Sequence, residues 1–216
     1  MSIFQKWKPL ALGIAIVLGV MAQAQGARAE VLTVAGGCFW CVEADFEKVP
    51  GVSKVVSGYT GGTVANPTYK QVTRGGTGHY EAVQIHYNPG QVSLDRLLYL
   101  FFRSVDPLDA GGQFCDRGNS YRTAIFVSDA AQKAAAEKAK AEAQAKLGAN
   151  IVTPILNAKA FYPAEAYHQD YYKGRDLVIT RRGPKSMKEA YKFYRTACGR
   201  DARLRQLWGG EAVFSG

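Results

Sequence analysis

The residues with the clearest capacity for chemistry are Cys38 and Cys41, in the run Gly36-Gly37-Cys38-Phe39-Trp40-Cys41. This run joins a short apolar segment to one of helical composition, which predicts Cys38 in the first turn of a helix. Unpaired N–H groups and the helix dipole stabilise a thiolate there, lowering the pKa of a cysteine from about 8.5. We therefore predict that Cys38 is a nucleophile; the alternative is a small apolar residue packed behind the turn.

The same pair, Cys38-x-x-Cys41, matches the dithiol of thioredoxin-like redox proteins. A general thiol–disulfide oxidoreductase is therefore a second interpretation. A zinc site would need another close pair of ligands, whereas Cys115 and Cys198 lie far apart in the sequence. The three histidines show no ligand spacing and are interpreted as ordinary polar residues. We expect neither a metal nor a cofactor.

The segment 80–87 supplies a candidate acid. If it is a strand, its alternation places Glu81 on the more apolar face, with Val83 and Ile85. Burial raises the pKa of a carboxyl, which can then remain protonated near neutral pH and act as a general acid. Alternation alone favours the other interpretation, a glutamate at a strand end that reaches solvent.

Tyrosines are frequent where loops meet predicted strands. Their phenol groups can donate hydrogen bonds in an otherwise apolar pocket, although each alone is more typical of a pocket rim. The tyrosines in such positions are Tyr59, Tyr69, Tyr80 and Tyr121.

The elements that must position these residues alternate along the chain, which predicts one α/β or α+β domain. Strands are predicted at 31–35, 52–59, 80–87, 121–127 and 151–156, the last at a sheet edge or with a bulge because of Pro154. Helices are predicted at 38–49, 93–105 and 130–147, with a short one in 161–172 beginning near Pro163. From residue 174 the pattern weakens into a basic tail.

The first 29 residues have the three parts of a secretory signal peptide. Lys6 and Lys8 precede an apolar run, 10–21, and Ala27-Arg28-Ala29 offers a cleavage site before Glu30. The alternative, an uncleaved anchor, would need an apolar run of about 20 residues. We expect an exported and periplasmic protein without stable membrane association after cleavage, with 30–216 as its single catalytic domain and about 174–216 as a C-terminal tail.

The composition is that of a globular protein. The chain has 216 residues, of which 47% are apolar and 21% charged, and this excludes a largely disordered chain. The formal net charge of +9 is scattered rather than concentrated in a stripe. We therefore expect a solvated basic surface and no nucleic-acid partner.

Six ordered motifs between about residues 31 and 173 identify a resemblance to the peptide methionine sulfoxide reductase A family. The first resembles the family's nucleophile motif, and the others follow in the family's order and spacing. They are Gly37-Cys38-Phe39-Trp40, Gly58-Tyr-Thr-Gly-Gly62, Asn66-Pro-Thr-Tyr69, Gly78-His-Tyr-Glu81, Asp116-Arg-Gly-Asn-Ser-Tyr121, and Phe161-Tyr-Pro-Ala-Glu165 with Tyr167-His-Gln-Asp-Tyr171.

The resemblance implies a two-layer α/β sandwich with a central mixed sheet, related to ferredoxin-like folds. It implies reduction of methionine S-sulfoxide, free or in proteins. The oligomeric state stays open at this point, with a monomer as the default expectation. Cys38 would attack the sulfoxide sulfur while Glu81 protonates its oxygen. Tyr69 and Tyr121 would assist by hydrogen bonding, and Asp116 would belong to the polar pocket. Phe39 and Trp40 would receive the substrate's methyl group.

The resemblance also implies that a second thiol converts the Cys38 sulfenic acid into a disulfide, which a thioredoxin-like dithiol protein then reduces. Many family members use a cysteine of the C-terminal tail, so Cys198 is the expected resolving cysteine. Cys115 and Cys41 are the alternatives. A third interpretation of the chain, a secreted binding module with two structural disulfides, predicts that all four cysteines are oxidised.

Overall fold

A computed structural model of the chain describes residues 29–215. The predicted signal peptide, apart from its last residue, lies outside the described residues. Within 29–215 no helix combines the length and the apolarity that a membrane span requires.

The centre of the fold is a six-stranded mixed sheet in the order β7-β6-β1-β3-β2-β8. All neighbouring pairs are antiparallel except β6 and β7, which are parallel. The strands are Glu30–Gly36 (β1), Val52–Thr60 (β2), Tyr80–Tyr87 (β3), Thr123–Val127 (β6), Ile155–Asn157 (β7) and Tyr162–Pro163 (β8); two smaller two-stranded sheets comprise Gly112–Gln113 (β4) with Asp116–Arg117 (β5), and Leu177–Thr180 (β9) with Gly183–Ser186 (β10).

Within residues 29–215, six α-helices accompany the sheets, and most of them contribute to the main core on one face of the large sheet. They are Phe39–Phe46 (α1), Tyr69–Arg74 (α2), Leu94–Ser104 (α3), Ala130–Leu147 (α4), Met187–Ala197 (α5) and Arg200–Trp208 (α6). Ser93 and Asp129 cap α3 and α4, because their side chains accept hydrogen bonds from the N–H groups of Arg96 and Gln132. Gly148 closes α4 in the left-handed conformation.

Strand alternation separates the two faces of the sheet as predicted. On β3, Val83 and Ile85 belong to the main core under the helices, whereas Tyr80 and Ala82 belong to a small apolar cluster on the opposite face. Glu81 therefore points to the helix-covered face, toward α1. The two-layer mixed α/β architecture implied by the sequence is confirmed.

Three local predictions differ from the structure. The segment 161–172 contains no α-helix: Tyr162 and Pro163 pair with β2, and single 3-10 turns follow at Ala166–His168 and Tyr171–Lys173. Edge pairing with β2 supplies the backbone hydrogen bonds that a helix would otherwise provide. Residues 151–154 are not in a strand, although β7 does lie at the sheet edge, as Pro154 predicted.

The third difference is the tail, which is ordered instead of irregular. It forms the β9–β10 hairpin and then the helices α5 and α6. Leu204 and Trp208 of α6 pack into the main core, and Tyr191 of α5 packs against Cys41. The tail is therefore part of the domain.

Candidate active site

The turn between β1 and α1 places Cys38 in the lining of a cavity of about 620 Å³. Gly37 adopts φ +78°, and a β-carbon there would lie 2.5 Å from Cβ of Gln113. Gln113 is buried and fixed by two hydrogen bonds of 2.8 Å to the backbone of Asp106. Only glycine fits this turn, and the turn makes Cys38 the N-cap residue of α1, one position before the predicted first turn.

Cys38 and Cys41 are both free thiols, one partly exposed and one buried. Hydrogen bonding with Cys41, together with burial, raises the pKa of Cys38, so the predicted lowering is wrong. The same hydrogen bond lowers the pKa of Cys41, helped by the positive charge of Arg200. The positive charge of Arg200 acts on Cys41, so Cys41 is the better placed of the two sulfur atoms to hold a negative charge.

Glu81 is 2% exposed and does not reach solvent. The interpretation as a strand-end glutamate in water is therefore wrong. The backbone N–H of Phe39 donates to Oε2 of Glu81 at 3.1 Å, and buried Oε1 has no hydrogen-bond partner within residues 29–215. Burial raises the pKa of Glu81 to about 8, so the carboxyl is protonated at neutral pH, as a general acid must be.

Tyr69, Tyr121 and Asp116 line the same cavity as Cys38 and Glu81. Burial raises the pKa of both phenols above the ordinary value of 10, so they remain donors. Burial also raises the pKa of Asp116.

Tyr69 is positioned by a short helix that the sequence analysis did not predict. Thr68 caps α2 in a capping box with Gln71, and the N–H of Tyr69 donates to Glu165 at 2.9 Å. Tyr59, by contrast, lies outside the cavity lining, and its hydroxyl donates to Glu165 at 2.8 Å.

Aromatic rings form one wall of the cavity. Phe39 packs against Tyr69, and Trp40 stacks on Tyr171 with ring centroids 3.7 Å apart and planes 4° from parallel. The indole N–H of Trp40 donates to Nδ1 of His168 at 3.2 Å. This wall offers an apolar surface whose ring orientations are fixed.

His168 is a site residue that the sequence analysis missed. Its ring contacts Phe39, Trp40 and Tyr69 from behind the cavity wall. Burial lowers the pKa of His168 to about 4, so the ring is neutral and Nδ1 can accept the hydrogen bond from Trp40. A histidine without ligand spacing gave no signal beyond its place in the Tyr167-His-Gln-Asp-Tyr171 motif.

All four cysteines line this one cavity. Cys115 and Cys198 form a disulfide, with their Cα atoms 4.9 Å apart, while Cys38 and Cys41 are reduced. Cys115 is exposed and Cys198 half-buried. The interpretation as a binding module predicted two structural disulfides, and two free thiols contradict it.

The tail contributes two buried arginines that the sequence analysis also missed. Arg195 pairs with Asp45 of α1 at 2.9 Å, and Arg200 donates to the carbonyl oxygens of Ser104 (2.6 Å) and Gly36 (3.4 Å). Both line the cavity and bring positive charge to Cys41. The sequence did contain a signal for the helix that carries Arg195: Ser186 and Glu189 have the spacing of a capping box, and they form the one that begins α5.

One group of carboxylates within residues 29–215, Glu43, Glu47 and Asp170, is close enough to hold an ion. The ammonium of Lys173 contacts Glu47 at 2.5 Å and Asp170 at 2.8 Å. None of these residues lines the cavity.

Comparison with known proteins gives one consistent family. The family model described as peptide methionine sulfoxide reductase matches residues 30–208. A peptide methionine sulfoxide reductase MsrA 2 of Caulobacter vibrioides is 52% identical over 196 residues, covering 90% of this chain and 93% of that protein. An MsrA of Listeria monocytogenes is 46% identical over 183 residues, covering 84% and 97%.

Two solved structures have the same fold. Reduced Mxr1 of Saccharomyces cerevisiae has a TM-score of 0.64 at 35% identity, over 67% of this chain and 84% of that one. Methionine sulfoxide reductase A of Corynebacterium diphtheriae has a TM-score of 0.61 at 31% identity, over 73% and 79%.

Proposed function

This chain belongs to the peptide methionine sulfoxide reductase A family, and on that premise we propose that it reduces the S epimer of methionine sulfoxide with Cys38 as nucleophile and Glu81 as general acid. The observation that carries this proposal is a buried carboxyl that is held by the residue next to a free thiol and has one oxygen without a partner among residues 29–215. Burial raises the pKa of this carboxyl to about 8, which favours its protonated form. A sulfoxide sulfur is a poor electrophile until its oxygen is protonated, so the acid and the thiol must act at one place.

The chemical step is a two-electron reduction. Glu81 gives its proton to the sulfoxide oxygen, with Tyr69 and Tyr121 donating hydrogen bonds to the same oxygen. Cys38 attacks the sulfur as its own proton passes to Cys41, which must be a thiolate to accept it and which the positive charge of Arg200 favours in that form. Methionine is released, and the oxygen ends on Cys38 as a sulfenic acid.

Stereospecificity follows from two fixed contacts. Phe39 and Trp40 receive the methyl group, and the donors near Glu81 hold the oxygen. With methyl group and oxygen fixed, only one configuration at sulfur lets the rest of the substrate point out of the cavity. Asp116 completes the polar side of this pocket.

Regeneration begins with Cys41. In this structure Cys198 is bonded to Cys115. Cys41 is therefore the free thiol that is available to react with Cys38. We propose that Cys41 condenses with the sulfenic acid, releasing water and forming a Cys38–Cys41 disulfide. When Cys115 and Cys198 are both reduced, Cys198 attacks the Cys41 sulfur and frees Cys38.

The relay ends at the surface. Cys115 then attacks Cys198, which frees Cys41 and closes the Cys115–Cys198 disulfide. The described state, with that disulfide closed and Cys38 and Cys41 reduced, is the product of such a relay. Because Cys115 is exposed, a thioredoxin-like dithiol protein can reach this disulfide more readily than the buried Cys41.

The place of action is a separate proposal. The signal-peptide features of residues 1–29 support export to a periplasm, cleavage before Glu30, and repair of oxidised exported proteins. The dithiol donor would then be periplasmic or relayed across the membrane. N-terminal sequencing of the protein from a periplasmic fraction should begin at Glu30, and a cytoplasmic chain beginning at Met1 would contradict export.

The enzyme assay uses dithiothreitol and the two separate epimers of a methionine sulfoxide peptide. We expect turnover of the S epimer alone, and its loss in Cys38→Ser. The free dithiol Cys38-x-x-Cys41 favours general thiol–disulfide exchange as a second candidate. That function predicts reduction of a protein disulfide and no turnover of either epimer.

A further inference from the structure

The β9–β10 hairpin carries the most exposed large apolar side chains of residues 29–215. Leu177 is 77% exposed and Ile179 is 83% exposed, and strand alternation places both on the same face. Exposed Pro184 of β10 lies directly opposite Ile179. A contiguous apolar face of this kind is a recognised mark of a binding surface.

This apolar face borders the active-site cavity. Four consecutive residues, 178–181, line the cavity that contains Cys38 and Glu81, whereas no residue of β10 does. The strand β9 therefore lies on the cavity side of the hairpin. Only β10 pairs with β9 among the described strands, so the cavity-side edge of β9 has no strand partner. Such an edge can accept an extended chain as an additional strand.

The turn of the hairpin adds positive charge. Arg181 and Arg182 are exposed, and neither forms an ion pair with an acidic group in the described part of the chain. Arg181 also lines the cavity. An acidic side chain on a polypeptide bound along β9 can therefore form an ion pair with one of these two arginines.

We propose that the β9–β10 hairpin binds the extended polypeptide on one side of the methionine sulfoxide, with apolar side chains on Leu177 and Ile179 and an acidic residue at Arg181 and Arg182. This inference rests on the proposed function, because it places the main chain of the substrate whose side chain enters the cavity. An extended strand presents every second side chain to one face, which matches the spacing of Leu177 and Ile179. The preferred substrate is therefore an unfolded segment, since a folded one has no free strand to offer.

The test compares substrates of different length with dithiothreitol as reductant, so that no protein reductant takes part. The substrates are free N-acetyl-methionine S-sulfoxide amide and an extended peptide with apolar residues and an aspartate beside the sulfoxide. A third peptide carries lysine in place of that aspartate. The double variant Leu177→Ser/Ile179→Ser should lower kcat/KM for the aspartate peptide about ten-fold, because it removes apolar surface that the bound peptide would cover. Turnover of the N-acetyl-methionine S-sulfoxide amide should not change.

Matched controls separate binding from folding. Val213→Ser removes another exposed apolar side chain, 48% exposed and outside the cavity lining, and should leave both substrates unaffected. Arg181→Ser/Arg182→Ser should abolish the preference for the aspartate peptide over the lysine peptide.

Three results would overturn the hairpin proposal. They are an equal loss for peptide and free substrate, no loss for either, or a loss that appears only when a dithiol protein replaces dithiothreitol. The last would assign the hairpin to the reductant. If the unaltered chain fails to reduce the free sulfoxide, the proposed function itself fails, and that result is distinct from the other three.

Discussion

The backbone N–H of Phe39 and the carboxyl of Glu81 are joined by a hydrogen bond of 3.1 Å between N and Oε2. The bond ties the first turn of α1 to β3, so the residue after the nucleophile fixes the position of the acid. It engages one carboxyl oxygen and leaves Oε1 for the substrate. Displacing either element moves the acid relative to Cys38.

Gly37 sets the position of Cys38, and Gly37→Ala should lower kcat/KM about 10²-fold, because displacements near 1 Å cost that much. An alanine would strain the backbone at φ +78°, and its β-carbon would lie 2.5 Å from Cβ of Gln113. Gly75→Ala is the control, since its φ of +87° is equally unfavourable but no atom lies within 4 Å. Steady-state kinetics should separate the two variants. Equal activities would show that Gln113 does not constrain the turn.

His168 should act on substrate affinity by orienting Trp40. His168→Phe keeps a ring but removes the acceptor of the indole N–H, and we expect KM to rise about ten-fold, the equivalent of one hydrogen bond. We expect kcat to change less than about three-fold, because His168 touches no reacting atom. His86→Phe, a half-buried histidine outside the cavity lining, is the control. A fall in kcat without a change in KM would contradict this role.

The order of the thiols can be read from stoichiometry without added reductant. A fully reduced chain should release about two methionines, one for each disulfide that its four thiols can form. Cys41→Ser should release about one and accumulate a sulfenic acid that a dione reagent traps, because the first resolving thiol is missing. Cys198→Ser should also release about one but give no trapped sulfenic acid.

A different outcome would assign the first step to Cys198. In that case Cys41→Ser would form a Cys38–Cys198 disulfide and no trappable sulfenic acid. Mass spectrometry of the digested protein distinguishes these products.

The ion pair between Arg195 and Asp45 should hold the tail against α1. Asp45 is fully buried, so Arg195→Met leaves an unpaired buried carboxylate and should lower the free energy of unfolding by about 3–5 kcal/mol. Lys133→Met breaks an exposed pair with Glu137 and should cost less than about 1 kcal/mol. Urea unfolding measures both, and similar losses would contradict the assignment.

Much of the sheet and its helices was predictable because local signals agree there. Ser93 and Asp129 cap their helices, Gly148 ends one, and the alternation of 80–87 places Glu81 on the correct face. In these segments capping, periodicity and burial favour the same structure. The resemblance motifs likewise brought together residues that prove to line one cavity.

The rest depends on contacts between segments distant in sequence. Burial of Glu81 requires α1 to cover β3, which alternation within one strand cannot reveal. Pro163 begins no helix because Tyr162 pairs with β2. The pKa of Cys38 rises because of Cys41 beside it and because of burial, and these two effects outweigh the helix N-terminus.

The most direct test of the paired action of Cys38 and Glu81 is the single-turnover rate of methionine formation across pH. Glu81 is protonated below its pKa of about 8, so the rate should fall as pH rises through that value. Glu81→Gln, shown by circular dichroism to be folded, should be slower by about 10²–10⁴-fold and lack this fall. A Gln variant within ten-fold of the original rate, or with the same fall above about pH 8, would contradict the account.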